Sequence, residues 1–251
     1  MNYGLQMYSI RDMASENYEA ALKTVAEMGY AMVESAGFFG HSAEDIAAML
    51  KNYGLTLCST HTGFNLLEED FAGTVAFHKT VGCADIILPS VPFSTKEALD
   101  HAIACINRWQ PALQAEGMRL HFHNHSGEYL PNKDGQIAID ELAARTSVLF
   151  QIDTFWAANA GHCAVELMEK YKDRLHTVHL KDGIPVDLTN PESRAVGRSL
   201  GLGTTPVADV RKKAIEMGLT MVVESEDLDP TGEEESRRCI QYLKALDASE
   251  K

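Results

Sequence analysis

No C-x-x-C pair occurs in this chain, and its five cysteines, Cys58, Cys83, Cys105, Cys163 and Cys239, make an odd count. That usage argues against a disulfide framework or a zinc knuckle and for reduced thiols. The N-terminus, MNYGLQMYSI, lacks the basic segment and long apolar run of a secretory signal. No apolar stretch approaches the ~18 residues that span a bilayer. Basic residues are scarce: 22 Lys and Arg stand against 36 Asp and Glu, a formal net charge of -14. Holding nucleic acid needs a basic face, so no nucleic-acid partner is expected, and the same balance argues against a membrane partner. The expected location is the cytoplasm. An anionic small substrate is not excluded, because a bound cation can dominate the local field.

What is present is a regular alternation along 251 residues, a length typical of one (β/α)₈ barrel. Short β-like runs fall at Tyr3–Met7, Met32–Ser35, Thr56–His61, Asp85–Leu88, Arg119–His123, Val148–Asp153, Thr177–Leu180 and Met221–Glu224. Between them apolar residues recur at helical spacing, as in Ala20, Ala21, Thr24, Val25 and Met28. "EMGY", "NYGL", "TVGC", "AEGM" and "EMGL" rhyme, each placing a glycine (Gly29, Gly54, Gly82, Gly117, Gly218) where a helix stops and a strand starts. The repeat of roughly 31 residues is one βα unit, and repeated units imply parallel strands with right-handed crossovers. Eight units favour a closed barrel, with a doubly wound open sheet as runner-up. No linker or low-complexity tract divides the chain, so residues 1–251 read as one domain. Pro111 is expected to divide the long fourth helical region. "PTGEEESRR" reads as a helix start with glutamates in its first turn.

In such a barrel the chemistry sits at the C-terminal ends of the strands. Those ends carry Glu34, His61, His121, His123, His125, Glu128, Asp153, His179, Lys181, Asp182 and Glu224. Each alone has a plain reading: Asp153 as a helix cap, His179 as a core histidine, Glu34 as a lysine partner, His121 as the deepest and purely structural imidazole. Together they are harder to dismiss. Each buried carboxylate or imidazole costs several kcal/mol unless compensated, and one divalent cation compensates the set. Mixed oxygen and nitrogen ligation suits Mn, Co, Fe(II), Zn or Mg. "LGLGTTP" (Leu200–Pro206) could cradle a phosphate at a helix N-terminus but more often is a turn. "DLDPTG" starts like a calcium loop at Asp227 but has Arg238 where glutamate is required.

"GLQMYSIRD", "GYAMVESAGFFG", "FHNHSGEY", "IDTFW", "HLKD" and "VVESED", in that order over nearly the whole chain, resemble the sugar phosphate isomerase/epimerase family of xylose-isomerase-like barrels. The resemblance implies one divalent metal held by Glu128, Asp153, His179 and Glu224. Many relatives have glutamate where this chain has His123, so either Glu128 reaches back to the metal or His123 is the strand 5 ligand. Glu128 is taken as that ligand, and His123 joins Glu128 and Glu224 as a catalytic candidate. Glu34, His61, His125, Trp156 and Lys181 are assigned to substrate. Ketose-epimerising relatives have a histidine where Trp156 stands and an arginine that "HLKDGIP" lacks. Trp156 offers a face for stacking on a sugar ring.

The expected reaction is isomerisation or epimerisation of a small carbohydrate by proton abstraction next to a carbonyl, through a metal-stabilised enediolate. The alternative is a lyase of the same fold, a keto-cyclitol dehydratase or a 3-keto-glycoside eliminating enzyme. An abasic-site endonuclease would want a basic groove, and a non-catalytic sugar binder would hold metal without turnover. The sequence leaves room for a homo-oligomer.

Overall fold

The β-branched and aromatic runs form short parallel strands, and the amphipathic runs between them cover those strands on the outside. The computed structural model describes residues 1–187, 190 and 192–249. In chain order the strands are β1 (Gly4–Gln6), β2 (Met32–Ala36), β3 (Thr56–His61), β4 (Asp85–Leu88), β5 (Arg119–His123), β6 (Leu149–Asp153), β7 (Leu175–Leu180), β8 (Asp182–Ile184), β9 (Val196–Arg198) and β10 (Thr220–Val223). Eight of them close in the order β1-β10-β7-β6-β5-β4-β3-β2. This is the (β/α)₈ barrel, and the open-sheet alternative falls.

Two features depart from the sequence reading. The connection after β7 contains an antiparallel hairpin, β8 with β9, pairing Asp182 with Arg198 and Ile184 with Val196. Pro111 does not divide its helix, which runs unbroken over Lys96–Ala115. Pro111 and Asn107, whose carbonyl loses its helical partner, are both exposed, so that carbonyl is not buried without a partner.

The rhyming glycines all adopt positive φ, from 67° at Gly54 to 95° at Gly29, as helix termination requires. The final helix, Gly232–Ser249, opens on Glu233, Glu234 and Glu235.

Alternate residues of each strand face opposite ways. On β5, Leu120 and Phe122 join the apolar core against the helices, whereas His121 and His123 turn to the barrel axis. The axis is unusually polar. Gln6 lies level with Glu34, Glu34 with Ser59, His123 with Gln151, and Asp153 with His179. This register sets carboxylates and imidazoles on neighbouring strands at matching heights.

Candidate metal centre

Glu34 is the floor of the site. It is fully buried, and its two oxygens accept from four side chains and lie close to a fifth, His61. Oε1 takes Gln6 Nε2 at 2.6 Å and His179 Nε2 at 2.6 Å, with His61 Nε2 3.1 Å away. Oε2 takes Ser59 Oγ at 2.5 Å and Gln151 Nε2 at 2.7 Å. Burial works against its charge, but the His61 and His179 imidazoles hold the carboxyl well below the usual range. Glu34, expected from the sequence to bind substrate, is fully buried and is not among the residues that line the cleft.

An ionised carboxylate only accepts, so the proton assignments propagate outward from Glu34. His179 must donate through Nε2, and its Nδ1 is the ring nitrogen that faces Asp153 and Glu224. Gln151 must point its amide nitrogen at Glu34, so its Oε1 accepts from His123 Nδ1 at 3.1 Å and from His61 Nε2 at 2.9 Å. His123 thereby keeps its other ring nitrogen unprotonated. Two imidazoles are oriented by the groups behind them, as the ring of a metal-binding histidine is when its other nitrogen is held.

Above this floor four donors converge. One ligand atom each of His123, Asp153, His179 and Glu224 lie within 4.8 Å of one another, and all four residues are buried. His179 Nδ1 is 3.7 Å from Asp153 Oδ2 and 3.3 Å from Glu224 Oε2. Asp153 Oδ2 and His179 Nδ1 have no hydrogen-bond partner despite full burial. Orphaned buried polar atoms are costly, and a cation among them would satisfy both. The donor set fits a divalent metal. Burial opposes a charged His179, yet Glu34 and Glu224 push its pKa well above the ordinary imidazole value. Burial also drives His123 well below it, reinforced by His179 and His61.

Asp153 serves two purposes. Its Oδ1 accepts from the backbone N–H of Trp156 at 2.8 Å, capping the helix Thr154–Asn159, while Oδ2 points into the centre. The plain reading, a helix cap, holds for Oδ1, while Oδ2 is left among the clustered donors. Asn124 Oδ1 receives the Asp153 N–H at 3.0 Å and fixes the strand end.

Glu128 stands outside the cluster. It sits on a short turn beyond β5, and its Oε2 accepts the backbone N–H of His125 at 3.0 Å. Burial raises its pKa against the pull of His125. Of the two strand 5 alternatives, the geometry gathers His123 with the other three, because it extends straight from the end of β5.

Lys181, assigned to substrate from sequence, is 1% exposed. Its ammonium is spent between Glu224 Oε2 at 3.2 Å and Glu226 Oε1 at 2.6 Å, and lies 4.8 Å from the Trp156 ring centroid. Burial would discharge it, but Glu224 and Asp153 push its pKa up instead. Trp156 thus covers the lysine, with its ring 5.7 Å from His125. His61 and His125 do line the cleft above the centre, which encloses about 380 Å³ with Tyr8, Ala36, Pro89, His123, Glu224 and Glu226. Glu226 is the residue that sequence reading missed; "ESED" carried it two places beyond Glu224.

The glycine-rich loop is already filled. Asp182 accepts four backbone N–H groups, from Gly183 and Thr205 on Oδ1 and from Gly201 and Gly203 on Oδ2, at 2.8–2.9 Å. An internal carboxylate occupies the cradle a phosphate would use.

The sequence model of the xylose isomerase-like TIM barrel family matches residues 22–246. The chain belongs to that family. Within the xylose isomerase-like barrels and their relatives, an inosose dehydratase from Geobacillus kaustophilus is 26% identical over 189 residues, which is 65% of this chain and 61% of that protein. The match thus spans less than two-thirds of that relative's length. A sugar phosphate isomerase/epimerase structure from Parabacteroides distasonis is 22% identical with a TM-score of 0.80, covering 96% of this chain and 97% of the other. The IolI protein, solved with a bound zinc atom, is 14% identical with a TM-score of 0.73, each chain covered to 98%. At these identities the two structures establish the shared barrel. Among the described residues no helix is long and apolar enough to cross a membrane.

Proposed function

We propose that the chain is a metal-dependent enzyme that removes a proton next to a carbonyl of a sugar or cyclitol and returns it, an isomerase or epimerase. The observation that carries this reading is the pair of unpartnered buried atoms, Asp153 Oδ2 and His179 Nδ1, meeting Glu224 and His123 at one point under a cleft. His123, Asp153, His179 and Glu224 are the proposed ligands, and Mn, Co, Fe, Zn or Mg suits them. When bound, the cation supplies Lewis-acid polarisation of the carbonyl.

The chain's own residues do the rest. Glu226 lines the cleft and is held at one oxygen by Lys181 Nζ at 2.6 Å, leaving the other free to take and return a proton. Lys181 also holds Glu224, at the same Oε2 that lies 3.3 Å from His179 Nδ1. His61 and His125 line the walls, where they reach hydroxyls of the ring.

A second reading, loss of water after proton removal, is favoured by the 26% identity to an inosose dehydratase. The same base serves both outcomes, so only the product separates them. The test is incubation of the metal-loaded protein with keto-sugars and cyclitols in deuterated water, followed by mass spectrometry. Solvent deuterium at the carbon beside the carbonyl, with unchanged composition, supports isomerisation or epimerisation. A product lighter by one water supports the dehydratase reading. Absence of deuterium uptake and of product across the panel would reject both.

A further inference from the structure

Beside the site cleft, and sharing Tyr8 and Ala36 with it, lies a second hollow of about 500 Å³. Its presented surface is apolar: Met7, Tyr8, Ala36, Phe39 and Leu228. Tyr8 is 44% and Phe39 45% exposed, among the largest uncovered apolar side chains of the protein. The polar groups of the hollow are engaged only in part, since the buried Oδ1 of Asp12 has no hydrogen-bond partner. Arg11 donates to the carbonyls of Tyr8 and Glu226 at 2.9 and 2.6 Å and lies 4.2 Å over the Tyr8 ring centroid. Asp12 Oδ2 accepts the Gly232 N–H at 3.1 Å.

A second, independent feature marks the same place. Among the described residues only two that are not glycine have positive φ, Phe39 at 50° and Leu228 at 55°. Bulky side chains avoid that region because Cβ meets the backbone. Both strained residues line this hollow, one from the loop after β2 and the other from the loop after β10. The strain holds two apolar side chains out over the mouth of the barrel rather than in its core, and strain of this kind gathers at ligand clamps.

We infer that the substrate is a sugar or cyclitol carrying a flat apolar ring, and that this ring lies on Tyr8, Phe39 and Leu228 while the polyol occupies the cleft over the metal centre. The inference deepens the proposed function and rests on it for the polyol. The two cavities adjoin at Tyr8 and Ala36, so a molecule that reaches across these two residues occupies both. Flat aromatic contact of this type adds specificity beyond the area covered.

The test is calorimetric binding of matched methyl and phenyl glycosides of several hexoses to the metal-loaded full chain, and to its Phe39→Gly and Leu228→Gly variants. The expected result is a preference of ~10-fold for the phenyl series in at least one hexose, lost in both variants. Glycine adopts φ near 50° without strain, so melting temperatures of the variants should hold or rise, which separates lost binding from lost folding. Equal binding of the two series, a phenyl preference that survives both substitutions, or no binding of either series would overturn the inference. A phenyl preference that depends on Phe39, in a protein inert toward every keto-sugar, would reject the proposed reaction and keep the subsite. Turnover of unsubstituted keto-sugars without phenyl preference would do the reverse.

Discussion

His179 donates its Nε2 proton to Glu34 Oε1 across 2.6 Å, and that one bond turns Nδ1 toward Asp153 and Glu224. Removing the negative charge of Glu34 should release the ring's tautomer and orientation. Glu34→Gln is expected to weaken divalent-metal affinity by about 10–100-fold. Competition against a chromophoric chelator measures this, and affinity equal to the unsubstituted protein would show that Glu34 does not act through His179.

Asp153 lets capping and metal binding be separated. Asp153→Asn keeps an oxygen for the Trp156 N–H but replaces the inward oxygen by an amide. Metal uptake should fall sharply with stability nearly retained. Asp153→Ala should lose metal and a further ~1 kcal/mol from the missing cap. Chelator titration and denaturant unfolding of the two variants in metal-free buffer read the two effects independently.

Asp182 closes the loop after β7 with four backbone N–H groups. Asp182→Asn keeps one acceptor and faces an amide toward two donors, so a loss of roughly 3 kcal/mol is expected. Inorganic phosphate should not rescue it, because the cradle is shaped to a carboxylate on the chain. A phosphate-dependent rise in melting temperature would revive the phosphate reading of the loop.

At the opposite end of the barrel Asp85 accepts from His121 Nε2 at 2.7 Å and from Arg119 Nε at 2.6 Å. Burial raises its pKa, but His121 and Arg119 outweigh this and hold it at about 2. A depressed carboxylate stabilises the fold above its unfolded value, and that stability is lost as pH falls toward the folded value. The gap between the unsubstituted protein and Asp85→Asn should be about 1–2 kcal/mol above pH ~5, allowing for the exposure of Arg119, and shrink as pH drops toward ~3. Urea unfolding at several pH values checks it, and a pH-independent gap would contradict the assignment.

Legibility varied with what each residue answers to. Strands such as Thr56–His61, Asp85–Leu88 and Arg119–His123 were readable to the residue because turn signals bound them, and the last two also carry apolar residues on their outward faces. Asp153, His179 and Glu224 stood out in the sequence because each ends an apolar run, and the fold brings them together. Glu34 looks identical in sequence, yet it serves from below, since its partners Gln6, Ser59 and Gln151 sit on strands whose register no single segment reveals. Glu128 outranked His123 on charge alone, whereas backbone geometry beyond β5 decides which side chain reaches the centre. The β8–β9 hairpin hid because three-residue strands carry too little pattern to register.

The most direct measurement is an anomalous-difference map from crystals loaded with manganese, cobalt or zinc. The account predicts a single strong peak bonded by His123, Asp153, His179 and Glu224 together. No peak there, or a peak bonded by Glu128 in place of His123, would contradict it.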